Sequence, residues 1–513
     1  VSEIELTSPK SAALAEHRMG LQAMEDAAVD AEVAKAPASK APSAPSSTKA
    51  PAAGPAPQTV AAVLLSSLGL VSDIYDFGII NLVRPNLEEE YGSLTSLEDG
   101  LLTGASLAGA MVGQIVMGAF ADYFGRRLVF ISTASLVGLS CFCSAVDQDA
   151  VFGVSIYTSL AIMRFLMGVG VGGEYPLSAA NTVENVTPES SARALATTFA
   201  GMGLGLILAP LVVIVLSAAF GANSGFVWRG AFAFGAMFAS ALAFFRYRHL
   251  QETSSYKATS SGAGSEGKGL ALWSMRRSLA GTAGSWLLYD IVTYGVSMYS
   301  TTIFPAAPGT DSALIVLLIA VLSFPGSLAA IPLAGFFCLR SLQIAGLLMM
   351  ALSYVLLSCF GSSLGTSDIS LICVVIFSLG KCFDTGGPGM TTFAIPGQIF
   401  PTSIRGTAHG ISAASGKLGA VIGTFAFPYV SSAASMETVM GLMAAVSAIT
   451  AIWTWLFVPL YTVEDLKEIS KLTEGAAAGL AAERQAELAE QVLHEGGVGG
   501  KGELEPLSSA ARH

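Results

Sequence analysis

Charged side chains are scarce in this sequence. Asp, Glu, Lys and Arg make up 12% of the 513 residues, against about 25% in an ordinary soluble domain. Hydrophobic residues reach 52%, and the mean hydropathy is +0.62. A water-soluble fold of this length needs far more polar surface to cover its core. The scarcity of charge therefore excludes an ordinary soluble protein and indicates that lipid is the solvent.

Cysteine and histidine are also few, with six and five residues. The cysteines lie in or beside apolar runs without metal-ligand spacing, so we interpret them as small packing residues. They are Cys141, Cys143, Cys338, Cys359, Cys373 and Cys382. No Ser/His/Asp order, metal spacing or nucleotide loop is recognisable, so we expect no enzyme, no metal and no cofactor. The net charge of −11 argues against nucleic acid as a partner.

Long apolar runs are what the sequence has in abundance. About twelve of them are long enough to cross a hydrocarbon core of about 30 Å. We therefore predict an all-α integral membrane protein with about twelve transmembrane helices in two six-helix halves. The predicted spans begin near Thr59, Gly100, Leu128, Val154, Ala192, Arg229, Leu279, Ser312, Ser341, Asp368, Thr407 and Glu437.

A polar stretch divides the apolar runs six and six. We predict an N-terminal half over residues 59–247, a central loop over 248–278 and a C-terminal half over 279–461. The Ala, Pro, Ser and Lys of residues 1–58 cannot form a core, so this segment is expected to be disordered. Residues 462–513 form a polar tail. The polar first residues do not resemble a secretory signal peptide.

Arginine falls in alternate predicted loops, whereas the loops between them are neutral or acidic. These arginines are Arg126, Arg127, Arg193, Arg246, Arg248, Arg276, Arg277, Arg340 and Arg405. Loops rich in Lys and Arg face the cytosol. The alternation therefore predicts that both termini and the central loop are cytosolic.

The loop after the second predicted span carries a recognisable motif. Residues 118–127 read GAFADYFGRR and match the G-x-x-x-D-x-x-G-R-R signature of the major facilitator superfamily, whose plan is two halves of six spans. The resemblance implies a latch of charged groups between the halves at the cytosolic face. We assign it to Gly118, Asp122, Gly125, Arg126, Arg127 and Arg164.

Further motifs are similar to those of the phosphate:proton symporters of fungi and plants. They are SDIYDFGIINLV at 72–83, RFLMGVGVGGEYPLSA at 164–179, GTAGSWLLYDIVTYG at 281–295, GPGMTTFAIPGQIFPTSIRGTAHGISAASGKLGA at 387–420 and FVPLYTVEDLKEIS at 457–470. The resemblance implies solute contacts at Tyr175, Trp286, Asp290, Tyr294 and Lys417. It also implies proton coupling through Asp73, Asp76, Glu174 and Asp290.

Charges inside a span each cost about 2.5–3.5 kcal/mol on insertion scales, so they mark pathways or pairs. Asp73 and Asp76 share a helix face because they are three residues apart. Arg164 is available to neutralise one of them, either as a structural ion pair or beside a carboxylate that takes up protons. Lys381 and Asp384 have no counterpart in the resembled family, and we interpret them as an intrahelical pair.

The sequence departs from the resembled family at two positions of the expected site. Met202 stands where the family has a glutamine, and Gly389 stands where it has an asparagine. Two hydrogen-bond donors to phosphate are thus absent. Either Thr391, Thr392 or Lys381 replaces them, or the solute is larger than phosphate. The second-half copy of the latch motif, residues 335–346, keeps Arg340 but has lost its acid.

The resemblance implies a symporter that imports inorganic phosphate with protons by alternating access. Its partners are then a small anion, protons and the lipid bilayer, and its membrane is the plasma membrane. One alternative is a symporter for glycerophosphodiesters or other organic anions, which the two departures favour. A second alternative is a phosphate-sensing receptor with little transport. The sequence indicates no oligomeric state.

Overall fold

The structure is a computed structural model that describes residues 57–147, 154–222, 224–253, 256–257, 265–299, 303, 312–359, 371–460 and 464–465. The described part folds into α-helices without a strand. The helices are α1 (Pro57–Tyr91), α2 (Ser96–Phe124), α3 (Arg126–Val146), α4 (Ile156–Glu184), α5 (Pro188–Phe220), α6 (Gly225–His249), α7 (Ser265–Ser274), α8 (Arg276–Ser297), α9 (Ser312–Phe336), α10 (Leu339–Ser358), α11 (Leu371–Gly386), α12 (Pro388–Ile399), α13 (Arg405–Ala433) and α14 (Met436–Phe457).

The predicted all-α membrane fold is confirmed. Every predicted span begins within four residues of a helix start, and ten of the described helices are long and apolar enough to cross a membrane. The seventh span is α8, and the tenth is the pair α11 and α12. The predicted tails and the Ser/Gly-rich part of the central loop at 258–264 lie outside the described residues, apart from 57–58 and 464–465.

Two elements were not predicted. The tenth span is broken at Gly387, between α11 and α12. Proline at the first position of α12 lacks a backbone donor, which favours a helix start there. The short helix α7 lies inside the predicted central loop and leads directly into α8.

Each half repeats one packing plan. In the first half α1 packs on α5, α2 on α4 and α3 on α6, and in the second half α8 packs on α13, α9 on α11 and α10 on α14. The halves meet where α2 crosses α13 and where α5 crosses α9. Close crossings depend on glycine: a side chain at Gly172 would clash with the backbone of Ala110, and one at Gly118 with that of Gly406.

A buried ion pair holds the first half together. Arg246 of α6 donates to both carboxylate oxygens of Glu174 on α4, at 2.7 and 2.6 Å, and the two side chains are 0% and 2% exposed. The Thr133 hydroxyl of α3 donates to the same carboxylate at 2.6 Å. The Arg246 guanidinium also lies over the Phe130 ring and donates to its carbonyl at 2.9 Å. One bidentate pair thus ties α3, α4 and α6.

We predict that Arg246→Met destabilises the protein by about 3–5 kcal/mol, because it leaves the Glu174 carboxylate buried without a cation. Removing both charges with Arg246→Met and Glu174→Gln should restore part of this loss. Unfolding of the purified protein in detergent measures each variant of the cycle.

The matched control is Arg229→Met. Arg229 pairs with Glu90 at 2.9 Å, but the two side chains are 29% and 33% exposed, so the loss should stay within about 1 kcal/mol. A single Arg246→Met variant as stable as this control would contradict the assigned role of the pair.

Candidate functional site

A cavity of about 180 Å³ lies between the two halves. A water needs roughly 10–15 Å³ by the same measure, so the cavity has room for on the order of ten waters or a small solute. Its wall on α8 runs from Trp286 to Ser297, a length of about 17 Å at 1.5 Å per residue. The lining is largely apolar, with polar groups gathered on the second half.

Lys417 is the centre of the first polar cluster. Its ammonium donates to the Tyr294 hydroxyl at 2.7 Å and to Asp290 Oδ2 at 3.3 Å. Lysine and aspartate are each only 2% exposed. The ammonium also lies 5.4 Å from the Tyr175 ring centroid, and the Tyr175 hydroxyl completes no hydrogen bond of acceptable geometry among the described residues. A buried cation, an acid and two tyrosine hydroxyls therefore meet in one place.

A second charged pair lines the same cavity. Lys381 forms an ion pair with Asp384 three residues later on α11, and it donates to the Ser297 hydroxyl at 3.2 Å. The other oxygen of Asp384 accepts from the Tyr289 hydroxyl at 2.5 Å. This cluster joins α8 to α11.

The positions that depart from the resembled family also line the cavity, since both Met202 and Gly389 are part of its wall. Of the three proposed replacements, Lys381 and Thr392 line the cavity. Both threonine hydroxyls donate to backbone carbonyls of their own helix turn, Thr391 to Gly387 at 2.9 Å and Thr392 to Pro388 at 2.8 Å.

Aromatic side chains from both halves separate the cavity from the latch motif. The Tyr175 ring lies 6.3 Å from that of Trp286 and 6.4 Å from that of Phe393, and Phe199 lies 5.9 Å from Phe393. Behind them the His409 ring packs on Trp286 at 5.6 Å. These contacts close the cavity on the side where α2 ends and α13 begins, which we name the arginine-rich face after Arg126, Arg127, Arg248 and Arg405.

At the arginine-rich face Asp122 joins the two halves. Its carboxylate accepts from the backbone N–H groups of Gly406 and Thr407 at 3.1 and 2.6 Å, and from the Thr407 hydroxyl at 2.7 Å. These are the first free donors of α13, where a negative charge is stabilised by the helix dipole. The Gly118–Gly406 approach brings the helices close enough for this contact.

Arg126 extends the same junction. It donates to Asp122 at 2.6 Å, to Glu184 at 3.2 Å and to the carbonyl of Thr402 in the second half at 2.8 Å. Arg405 donates to the same Glu184 at 3.0 Å. All these charged groups lie within one network, so its charges are compensated while the halves are in contact.

The central loop covers this network. Glu252 accepts from the backbone N–H groups of Arg126 and Arg127 at 2.9 and 3.2 Å, where Gly125 turns with a φ of +100°. Lys268 of α7 donates to the Asp122 carbonyl at 2.7 Å. Burial lowers the pKa of Lys268, and Asp122 opposes this shift. The second-half copy of the motif at 335–346 contains no acid. There Arg193 of the first half lies over the Phe336 ring at 5.7 Å.

The structure divides the residues that the sequence assigned to proton coupling. Asp290 lines the cavity, whereas Asp73, Asp76 and Glu174 are buried inside the first half and are not part of its wall. Asp76 accepts from the Ser72 hydroxyl at 3.4 Å and the Cys141 thiol at 3.3 Å. Asp73 keeps one carboxylate oxygen without a partner among the described residues.

Arg164 does not lie with the other five residues of the predicted latch. It is buried beside α1, where it donates to the backbone carbonyl of Asp76 and lies 5.5 Å from the Phe232 ring. The ion pairs among the described residues do not include one from Arg164 to the Asp73 or Asp76 carboxylate, although its charge is close enough to interact with that of Asp76. Its remaining guanidinium nitrogens have no hydrogen-bond partner there.

All five residues expected to contact solute line the one cavity: Tyr175, Trp286, Asp290, Tyr294 and Lys417. Sequence reasoning missed Tyr289. It interpreted Lys381 and Asp384 as an intrahelical pair and offered Lys381 as a replacement donor to phosphate. Two charges in an apolar run were the signal. Their contacts with Ser297 and Tyr289 of α8 join distant parts of the chain, which no local signal predicts.

The cavity is electrically balanced, because Lys381 and Lys417 offset Asp290 and Asp384. An anion that enters must displace a carboxylate from a lysine, and a proton that enters neutralises a carboxylate and frees its lysine. The arrangement is therefore suited to bind an anion and a proton together.

Comparisons with known proteins agree with this architecture. The family model of the Major Facilitator Superfamily matches residues 66–393. The probable inorganic phosphate transporter 1-6 of Arabidopsis thaliana is 28% identical, over 81% of this chain and 94% of its own. Inorganic phosphate transporter 1-6 of Oryza sativa subsp. japonica is 30% identical, over 72% and 82%.

Solved structures share the fold. The proton:xylose symporter XylE superposes with a TM-score of 0.67 at 18% identity, over 80% of this chain and 99% of that one. The human organic anion transporter MFSD10 gives 0.61 at 16% identity, over 78% and 100%. From the matching family model and the related sequences, the chain belongs to the major facilitator superfamily, in the family of the plant inorganic phosphate transporters.

Proposed function

We propose that this protein is a proton-coupled transporter that imports inorganic phosphate by alternating access. The observation that carries the proposal is the buried Lys417–Asp290 pair, with Tyr294 and Tyr175, in a cavity between the halves. The relatives named as inorganic phosphate transporters support phosphate as the solute. XylE, a protein with this fold, is a proton:xylose symporter.

Transport of phosphate is coupled to protons because Asp290 and phosphate compete for Lys417. While Asp290 is ionised, it occupies Lys417, and an anion binds only weakly. A proton on Asp290 removes its charge, so the lysine and the hydroxyls of Tyr175 and Tyr294 become available to phosphate oxygens. Phosphate without a proton would leave an excess negative charge buried in the cavity, which is costly.

The latch network supports alternating access. In this conformation the halves are joined at the arginine-rich face, and the cavity wall continues along α8 away from that face, to Ser297 and Met298. We propose that solute and proton enter from the opposite face. Separation of α2 from α13 would then open the cavity to the arginine-rich face.

We propose that the arginine-rich face is cytosolic, in accord with the distribution of arginine between the loops. Both termini are then cytosolic as well, and the membrane is the plasma membrane, as for an importer. Asp73 and Asp76 are proposed to handle protons inside the first half, and Glu174 would do so only by releasing Arg246. The unpartnered oxygen of Asp73 supports this role.

We predict that Asp290→Asn abolishes phosphate uptake that depends on a proton gradient, with a loss of at least about tenfold. The amide can neither take up nor release a proton, so phosphate binding no longer requires one and the gradient cannot drive uptake; a tenfold loss corresponds to about 1.4 kcal/mol. The measurement is uptake of labelled phosphate into proteoliposomes with an imposed inward proton gradient.

Asp99→Asn is the matched control. Asp99 pairs with Arg84 at 2.6 Å, is 37% exposed and lies outside the cavity wall, so uptake should remain normal. Gradient-dependent uptake by Asp290→Asn at the control level would overturn the assigned coupling residue. Phosphate binding by the wild type without uptake would indicate a receptor in place of a transporter.

We also predict that Asp122→Asn loosens the junction between the halves. The neutral side chain caps the start of α13 less strongly, since it no longer complements the helix dipole. Hydrogen–deuterium exchange at the Gly406 and Thr407 amides should rise several-fold, with Asp99→Asn unchanged. Unchanged exchange in Asp122→Asn would show that Asp122 does not maintain this contact.

A further inference from the structure

We propose that Lys381 and Asp384 form a second charged subsite of the cavity, which makes it selective for a dianionic phosphate group. The dianion is orthophosphate or a phosphomonoester, and the disfavoured competitor is a monoanionic phosphodiester. This inference rests on the proposed function and specifies its substrate class.

The first support is position. Lys381, Asp384, Ser297 and Tyr289 line the same cavity as Lys417 and Asp290. The Asp384 side chain is 2% exposed, but that of Lys381 is 13% exposed. An ion pair whose only role was to stabilise α11 would not need to lie on the polar side of the cavity.

The second support is Gly389. A Cβ at this position would lie 3.0 Å from the Tyr289 hydroxyl and 3.0 Å from the Asp384 carbonyl, which is too close without displacement. The missing side chain therefore leaves room for the Tyr289–Asp384 hydrogen bond. The same position that loses the amide donor of the resembled family thus accommodates a different polar cluster.

The third support is charge balance. Two lysines and two aspartates give the cavity no net charge, and a dianion together with two protons keeps it so. Each lysine then pairs with one solute charge, and each carboxylate holds one proton. A monoanionic diester uses only one lysine and leaves the second pair intact, so it gains fewer charge-assisted hydrogen bonds.

The ionisable groups around Asp384 come from several helices. They are Lys381 on α11, Tyr289 and Asp290 on α8, Tyr354 on α10 and Lys417 on α13. When an anion takes the place of the Asp384 carboxylate beside Lys381, Asp384 can bind a proton in exchange for its ion pair. The two lysines and the second acid of this set allow the exchange.

The test compares two inhibitors of labelled phosphate uptake in proteoliposomes. Methyl phosphate supplies a dianionic monoester, and dimethyl phosphate supplies a monoanionic diester of similar size. The diester forms fewer charge-assisted hydrogen bonds, so wild type should require at least about tenfold more diester than monoester for half inhibition.

The decisive variant is Lys381→Gln with Asp384→Asn, which removes both charges and leaves neither unpaired. The ratio of the two inhibitors should fall to about threefold or less, with weaker phosphate uptake remaining. Tyr289→Phe, which removes one hydroxyl, should lower the ratio partly and serves if the double variant does not fold. The control is Arg84→Gln with Glu88→Gln, a helical pair outside the cavity wall with both side chains 38% exposed, and it should keep the wild-type ratio.

An unchanged ratio in the folded double variant, or no selectivity in wild type, would overturn the subsite and leave Lys381–Asp384 as a structural pair. If wild type takes up no phosphate, the proposed function fails separately. The subsite is then decided by binding of labelled methyl phosphate in detergent. A loss in the double variant alone supports it, and equal binding in wild type and double variant rejects it.

Discussion

An ionised side chain inside this protein is stable only where an opposite charge or hydrogen bonds replace the lost water. Each buried charged cluster satisfies this constraint differently. Glu174 and Arg246 are held by one another and by fixed neighbours inside the first half, and they stabilise the helix packing. Asp122 is held by groups of the opposite half, so its stability depends on conformation. Asp290 and Lys417 face the cavity, where solute and protons compete for the same partners.

The last two cases connect binding to movement. The cavity closes toward the arginine-rich face through contacts between aromatic rings, and behind them lies the network of Asp122, Arg126 and Glu184. Opening that face removes the partners from the second half that compensate these charges. A solute that enters with enough protons to keep the cavity electrically neutral adds no further free-energy cost, whereas an anion that enters without protons does. Phosphate therefore passes the closed, apolar side of the cavity only together with a proton.

The sequence predicted most of the fold, because apolar runs and alternating arginines record the thickness and polarity of a bilayer. The solute-contacting residues were predicted from the sequence motifs. Trp286, Asp290 and Tyr294 are predicted to share one face of their helix because they are four residues apart. Contacts between side chains of different helices could not be predicted in this way. Nothing local indicates that Glu174 pairs with Arg246, 72 residues away, or that Arg164 binds a carbonyl and no carboxylate. The role of Gly389 required the positions of Tyr289 and Asp384, which lie on two other helices.

The central claim is that phosphate and protons enter the cavity together because its charges must remain balanced. Calorimetry of phosphate binding to the detergent-purified protein tests it directly, when repeated at one pH in buffers of different ionisation enthalpy. The dependence of the heat on the buffer gives the number of protons taken up with each phosphate. We predict uptake of about one proton or more by wild type and a smaller number by Asp290→Asn. Phosphate binding whose heat is the same in every buffer would contradict the account.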